Sequence, residues 1–388
     1  MTLDAWAENI EDILNRRETC VLGLPFDALT EQQALIEIIK SAEQKRRCFL
    51  STPNLNFVIS SLRSAIFFDS VCASNLSVAD GMPLVLVSKL VGENLPERVS
   101  GSGLFEILMQ RAASEKTTSV FFFGGDPGIA NQAAEALNRS DNSLVAAGAL
   151  DPGRGSVEEM SSAEIINQIN TANPDIVVVA LGAAKGQEWI MRNREQLNAP
   201  VLSHLGAVVN FVAGNVKRAP RFWQRLGVEW IWRTLQEPRL AKRYASDGLR
   251  FLSLLATTII PLSIYRKLLL GKFMDTGLQY NLIKLETSDG LRISLSGIAT
   301  AESLGGLRQV LTSNMSHPQN VDFDLQNLKF GDGHFFALLL RLRTLLSANG
   351  LTLRVYGSTK PLNRLARLYL ISKERWRALE NHDNLAGQ

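Results

Sequence analysis

Asp80 lies in Ala79-Asp80-Gly81, between the apolar run Leu76 to Ala79 and a helical stretch. A carboxylate at the end of such a strand reaches the usual ligand crevice of an open α/β sheet. The adjacent glycine allows close approach of a substrate. Such an Asp can take a proton as a general base or cap the helix that follows, and the local sequence leaves both open. A second feature, Phe123-Gly124-Gly125-Asp126-Pro127-Gly128, ends an apolar run and opens a helix. Backbone N–H groups at such a turn can cradle a phosphate, aided by the helix dipole. The spacing is not GxGxxG and no acidic residue ends the next strand, which argues against a dinucleotide. A plain tight turn and a seat for a sugar nucleotide's diphosphate both fit. Asp322-Phe323-Asp324 has the DxD form by which some glycosyltransferases hold a metal and a diphosphate. It lies within a strand, both carboxylates share one face, and a structural role is expected. The four histidines are scattered and the three cysteines form no CxxC pair. No metal site is therefore expected. No GxSxG, Walker A or kinase motif is present.

These residues need a scaffold, and the chain supplies a pattern for one. The runs 48–52, 119–123, 175–181 and 201–205 are continuously apolar and stop at Gly or Pro. That is the signature of strands buried on both faces. Helical patterns at 129–137 and 163–170 lie between them, so an α/β domain with a mostly parallel, Rossmann-like sheet is expected. The length of 388 residues suggests two or three domains. A hydrophobic share of 46% and a charged share of 20% exclude disorder and low-complexity architectures. Unpaired cysteine spacing points to a reducing compartment. The first 20 residues carry Asp4, Glu8, Glu11 and Asp12 rather than a basic start and apolar core, so a cytoplasmic protein is expected.

A net charge of +3 says little about nucleic acid, and no nucleic-acid partner is expected. The charge is segregated, however. Residues 214–272 hold 12 basic and 3 acidic residues, a local balance of +9 that leaves −6 elsewhere. Trp189, Trp223, Trp230 and Trp232 lie in or near this stretch. Phe251 to Ile264 is almost wholly apolar between Arg250 and Arg266. At about 14 residues it is short of the ~20 needed to cross a bilayer. An interfacial or re-entrant helix is the favoured reading, with a buried core helix as the alternative. After Gly277, strands at 282–286 and 291–295, joined by an Asp-Gly turn, precede a helix at 301–313 and a strand at 321–325. A helix at 335–348, a strand at 351–356 and a helix at 361–371 follow. The expected division is an α/β catalytic domain at 1–213, a basic membrane-facing appendage at 214–276, a small α/β domain at 277–380 and a tail at 381–388.

The ordered motifs resemble the WecG/TagA/CpsF glycosyltransferases, which build bacterial surface polysaccharides. The resemblance runs through Gly23-Leu24-Pro25-Phe26-Asp27-Ala28-Leu29-Thr30, Thr52-Pro53-Asn54, Ala79-Asp80-Gly81-Met82-Pro83 and Glu97-Arg98-Val99-Ser100-Gly101. It continues through Phe123-Gly124-Gly125, Pro174-Asp175 to Leu181-Gly182, and Ala213-Gly214-Asn215-Val216-Lys217-Arg218-Ala219-Pro220. Glu229-Trp230 and Glu237-Pro238 with Arg243-Tyr244 close a set spanning roughly residues 20–245. The resemblance implies inverting, metal-independent transfer of a sugar from a UDP-sugar to a polyprenyl-diphosphate-linked glycan, with no cofactor. It implies Asp80 as the catalytic base and Thr52 beside it. Asn54, Gly81, Arg98, Gly124, Gly125, Gly182 and Gly206 follow as substrate-binding candidates. Departing UDP would be met by N–H groups and cations, drawn from Arg218, Arg221, Arg225, Arg233, Arg239 and Arg243. The family's PKQE run stands here as Ala184-Lys185-Gly186-Gln187-Glu188, making Gln187 and Glu188 candidates. Its GGAFD stands as Leu205-Gly206-Ala207-Val208-Val209-Asn210, so Asn210 replaces an acid, consistent with a different donor sugar. The implied location is the cytoplasmic face of the bacterial plasma membrane.

Residues 280–375 resemble a STAS domain, through the β-β-α-β-α-β-α order and the run from Asp324-Leu325-Gln326 to Phe330-Gly331-Asp332. Gly333 and His334 stand where such domains carry a phosphorylatable Ser. This implies docking to a protein partner or nucleotide sensing instead of a phosphorylation switch. Two rival functions remain at the level of sequence. One is another sugar-nucleotide enzyme, an epimerase or dehydrogenase, and the other is a non-catalytic regulator.

Overall fold

The computed structural model describes residues 3–111, 117–140, 142–216, 219–220, 223, 229–236, 238, 240–273, 276–284, 290–372 and 375–376. Its strands are β1 (Glu18–Val21), β2 (Leu24–Asp27), β3 (Cys48–Ser51), β4 (Leu76–Ser77), β5 (Thr118–Gly124) and β6 (Leu144–Leu150). β7 (Ile176–Ala180), β8 (Val201–His204), β9 (Gln279–Lys284), β10 (Gly290–Ala299), β11 (Asn320–Gly331) and β12 (Leu353–Tyr356) complete them. Contacts divide the chain into two compact units, one of residues 29–85 and 96–250, the other of 1–28, 86–95 and 251–388. These units are discontinuous and do not follow the expected linear boundaries at 213/214 and 276/277.

The first unit is built on a six-stranded sheet in the order β4-β3-β8-β7-β5-β6, parallel throughout. Alternate residues of each strand enter different cores. Val120, Phe122, Ile176 and Val178 join one cluster with Leu50 and Val201. Phe121, Phe123, Val177 and Val179 join another with Phe49 and Leu202. Helices cover both faces, which is why the strands read as unbroken apolar runs. Phe123 stacks on Trp189 at 4.3 Å between ring centroids. The Trp189 indole donates to the Met160 carbonyl at 2.7 Å, so burying this large ring leaves no polar atom unpaired.

β5 is followed by a helix leading to β6 on one side, and β7 by a helix leading toward β8 on the other. The loops after β5 and β7 therefore diverge, and a topological switch point lies between them. Because the ladder is parallel, the residues after β3, β4, β5, β7 and β8 emerge along one edge.

In the second unit, β12, β11 and β10 pair in parallel and β9 runs antiparallel to β10. The element order there is β-β-α-β-α-β-α, as read from the sequence. β11 is longer than expected, reaching Gly331. Asp322 is buried between Arg292 at 3.3 Å and Arg354 at 3.1 Å. Asp324 accepts from the Ser294 hydroxyl at 3.3 Å. Both DxD carboxylates are thus tied within the sheet. The N-terminal hairpin β1–β2 belongs to this unit through buried charge. Arg341 on the helix Gly333–Ala348 donates through Nε to Glu18 Oε1 at 2.7 Å, and Arg16 grips Asp27 with two hydrogen bonds of 3.0 and 2.7 Å.

Phe251 to Ile264 belongs to a continuous helix, Ala241–Phe273, of 33 residues. This corrects the short apolar segment expected from sequence. Arg and Lys are good helix formers and flank the apolar run without ending it. Pro261 would clash with the preceding turn, and the five-residue π-helical segment Leu255–Ile259 lies just before it. The helix is long and apolar enough to cross a membrane, and only 17% of its most apolar window is buried.

Glu93 is fully buried in this unit. It accepts from the Thr19 hydroxyl at 2.5 Å, the Gly333 amide at 3.0 Å and the Tyr369 hydroxyl at 2.5 Å. Arg266 Nε lies 3.6 Å away, and His334 Nδ1 lies 3.4 Å from both Glu93 and Asp332. A Cβ on Gly333 would sit 2.4 Å from Thr19 Oγ1 and 2.5 Å from Glu93 Oε2, so only glycine fits there. Burial alone would raise the Glu93 pKa, but His334, Arg266, Thr19 and Tyr369 together hold it below the ordinary value. Burial would lower that of His334, yet its bonds to Asp332 and Glu93 raise it from 6.5 to about 9. The folded state therefore binds a proton more tightly than the unfolded chain. That contribution is complete below about 6.5 and vanishes as pH rises through about 9. Thermal unfolding should accordingly show stability falling across this interval, and His334→Gln should remove that slope. Glu93→Gln should cost about 3–5 kcal/mol by leaving buried cations uncompensated. An unchanged slope in His334→Gln would refute the role given to this histidine.

Candidate active site

The edge at the C-terminal ends of the parallel strands collects eight of the expected residues. Thr52 and Asn54 follow β3, Asp80 and Gly81 follow β4, Gly124 ends β5 and Gly125 follows it, Gly182 follows β7 and Gly206 follows β8. Asp80 is fixed by its backbone, whose N–H donates to the Pro53 carbonyl at 2.9 Å. The Val99 N–H donates to the Ala79 carbonyl at 2.9 Å, which lays the Arg98 segment beside it. Val85 N–H bonds back to the Gly81 carbonyl, so Gly81, one residue past Asp80, holds the cap position of the helix Met82–Val91.

The Asp80 carboxylate faces Arg98. Arg98 Nε and Nη2 lie 3.3 and 3.2 Å from Asp80 Oδ1, and Nη2 also donates to Glu229 Oε2 at 2.8 Å. The side chains of Asp80, Arg98 and Glu229 are 25%, 18% and 12% exposed, so solvent screens the triad only partly. Burial works against the Arg98 charge, and Asp80 and then Glu229 outweigh it, raising its pKa. Glu229 opens the helix Glu229–Gln236. Its only sequence signal was the Glu229-Trp230 pair, which carries no local hint of a partner 131 positions away.

Thr52 is buried, and a Cβ on Gly101 would sit 3.3 Å from its hydroxyl and 2.3 Å from Leu205 Cδ2. Gly101 therefore lets the helix Gly101–Gln110 approach Thr52. Asn54 spends its Oδ1 on capping the helix Leu55–Ser61, accepting from Phe57 N–H at 3.2 Å. Its Cβ is 3.9 Å from where a Gly81 Cβ would stand.

Gly124 and Gly125 adopt φ of +90° and +100°, the left-handed region that favours glycine. The Gly125 N–H donates to the Ala180 carbonyl at 2.9 Å, so this amide serves the turn rather than a free phosphate cradle. Gly182, with φ of +80°, opens the helix Ala183–Asn193 without a side-chain cap and with open space where a Cβ would stand. Its N-terminus is available to negative charge.

Gln187 is buried, and its Nε2 donates to Ser51 Oγ at 3.0 Å, bracing β3 from below the edge. Glu188 on the same helix is exposed. Asn210 is partly buried on the helix Gly206–Val212. His204 ends β8 with an inaccessible, unbonded Nε2, 3.4 Å from where a Gly206 Cβ would stand. Burial lowers its pKa to about 4, so the ring is neutral near pH 7. Of the expected cations, Arg243 is exposed and lies 5.1 Å from the Tyr244 ring centroid. Arg218, Arg221, Arg225, Arg239 and the side chain of Arg233 lie outside the described residues.

Among the described residues one group brings His and carboxylate ligand atoms close enough to hold a metal: Glu93, Asp332 and His334, within 4.8 Å of one another. Its two negative charges already face Arg266 and the proton-holding His334.

Comparison with known proteins covers this half of the chain well. The model of the glycosyl transferase WecG/TagA/CpsF family matches residues 19–263. The N-acetylglucosaminyldiphosphoundecaprenol N-acetyl-beta-D-mannosaminyltransferase of Bacillus spizizenii is 30% identical over 204 residues, which is 53% of this chain and 77% of the relative. The protein of that name from Bacillus subtilis is 29% identical over the same shares. With the family pattern spanning both the Asp80 turn and the Glu229 helix, the chain belongs to the WecG/TagA/CpsF family and is a glycosyltransferase.

Proposed function

We propose that the protein transfers a sugar from a UDP-sugar to a polyprenyl-diphosphate-linked glycan, with inversion and without a metal, in bacterial surface-polysaccharide or exopolysaccharide synthesis. The observation that carries this reading is the Asp80 carboxylate, held by Arg98 after β4 on the C-terminal edge of the parallel sheet. Asp80 takes the proton of the acceptor hydroxyl as its oxygen attacks the anomeric carbon. The new glycosidic C–O bond forms as the bond to UDP breaks in line, and the electron pair leaves with the diphosphate. The helix N-terminus at Gly182 and the cations of residues 214–272 then meet the charge on departing UDP. The names of the two Bacillus relatives, which specify an undecaprenol-linked diphosphosugar, support the acceptor class.

A lipid-linked acceptor also gives the helix Ala241–Phe273 a purpose. Ile259, Leu262 and Leu269 are buried, while Leu252, Ile260, Ile264 and Leu268 are exposed at spacings of a helical face. Arg250, Lys267 and Lys272 flank that face. Ser263 Oγ donates to the Leu90 carbonyl at 2.8 Å, and Arg266 Nη1 to that of Val91 at 2.6 Å, which ties the other face to protein. The helix then lies on the cytoplasmic face of the plasma membrane rather than crossing it. The region 280–375 is read as a STAS-like docking domain for a protein partner, supported by its element order.

The test is release of UDP from a panel of UDP-sugars with a polyprenyl-diphosphate-sugar acceptor. Asp80→Asn should lower turnover at least 10²-fold, the usual reach of a general base, with unfolding unchanged. Near-normal turnover would reject Asp80 as the base. For the membrane, the triple variant Ile260→Glu, Ile264→Glu and Leu268→Glu should lose tenfold or more of the protein that sediments with anionic phospholipid vesicles, since each apolar side chain contributes about 1.5–3 kcal/mol on burial. Undiminished sedimentation would rule out this face.

A further inference from the structure

We propose that Glu229 is a positioning residue that sets the basicity of Asp80 through the one guanidinium they share. This rests on the reading of Asp80 as the base. The same protein offers the contrast that makes the arrangement informative. Arg16 grips Asp27 in a fork, Nε to Oδ1 at 3.0 Å and Nη2 to Oδ2 at 2.7 Å. Arg98 instead brings Nε and Nη2 to a single oxygen of Asp80, at 3.3 and 3.2 Å, and makes its shortest carboxylate contact with Glu229 at 2.8 Å. The guanidinium is drawn toward Glu229 and only loosely engaged by Asp80.

The chemistry explains the use of such sharing. A cation in full contact with a carboxylate stabilises its ionised form by about 1–3 pH units and makes it a poorer base. A base works best when its proton affinity is matched to the operating pH. A second carboxylate on the same cation offsets that loss, while the cation still aims Asp80. Arg98 hydrogen-bonds both carboxylates of this set, Asp80 and Glu229. Thr52 and Asn54 beside Asp80 are neutral, and Asp247 lies beyond them, accepting from Asn56 Nδ2 at 3.2 Å. Glu229 is largely shielded from solvent, so its charge is felt at short range.

Glu229→Gln removes the charge and keeps an oxygen that accepts from Arg98. Of the two carboxylates on Arg98, only that of Asp80 then remains. The acidic limb of the kcat–pH profile, measured by UDP release with the full-length protein, should move about one unit lower. The plateau kcat should fall severalfold, with KM for the donor within twofold. Glu229→Asp should restore the limb toward its original position. A fall in kcat with an unmoved limb, or a limb that moves upward, would overturn the proposal. Should Glu229→Gln fail to fold, the Glu229→Asp profile decides alone: a longer reach to Arg98 should move its limb part of the way down, and an unmoved limb with reduced kcat would overturn the proposal. Asp80→Asn separates the two levels. If it is inactive while the Glu229→Gln limb stays fixed, only the role of Glu229 is lost. If it turns over normally, the base itself is misassigned.

Discussion

The parallel register of β3, β8, β7 and β5 is the constraint on which the site depends. Cys48 pairs with Val201, Val201 with Ile176, and Ile176 with Val120, so these strands run in step toward one edge. A one-residue slip in any strand would exchange its two apolar faces and move its terminal loop. Both faces are packed, by Phe121 and Phe123 on one side and Val120 and Phe122 on the other. Such a slip would bury the same kinds of side chain in cavities of the wrong shape. Packing on two faces thus fixes the height at which Thr52, Asp80, Gly124 and Gly182 emerge.

Carboxylates throughout the chain are answered by arginines from distant segments, and the nature of the answer differs with its purpose. Glu18 and Asp27 are buried and held by Arg341 and Arg16 at 2.7 Å, geometry that recovers part of the cost of desolvation. Asp322 is held by Arg292 and Arg354. Asp80 differs in being more exposed, with 25% of its side chain open to solvent. A structural ion pair gains from a closed fork, whereas a base must remain able to accept a proton.

The helix Ala241–Phe273 shows how a pattern can be right in character and wrong in extent. Its apolar centre is visible from residue 251, and its flanking cations are visible too. Its length depends on whether those cations end the helix or ride along it, which local propensity leaves undecided. Arg266 settles the matter on one side, with its guanidinium bound to the Val91 carbonyl and near Glu93. A residue that reads as a lipid-facing flank is in fact part of a buried polar cluster.

The sequence by itself determined the α/β class, the positions of β3, β5, β7 and β8 and the place of Asp80, because apolar runs ended by glycine or proline are local signals of burial on two faces. It also determined the order of elements after Gly277 and the concentration of positive charge in residues 214–272. Only the tertiary structure decided that the first 28 residues pack with the last third of the chain, because Glu18 and Arg341 lie 323 positions apart and pair without any periodic trace. Only the fold showed why Gly333 has no side chain, since Glu93 fills that space. It alone brought Glu229 to Arg98, for charge complementarity acts through space and leaves no mark on spacing along the chain.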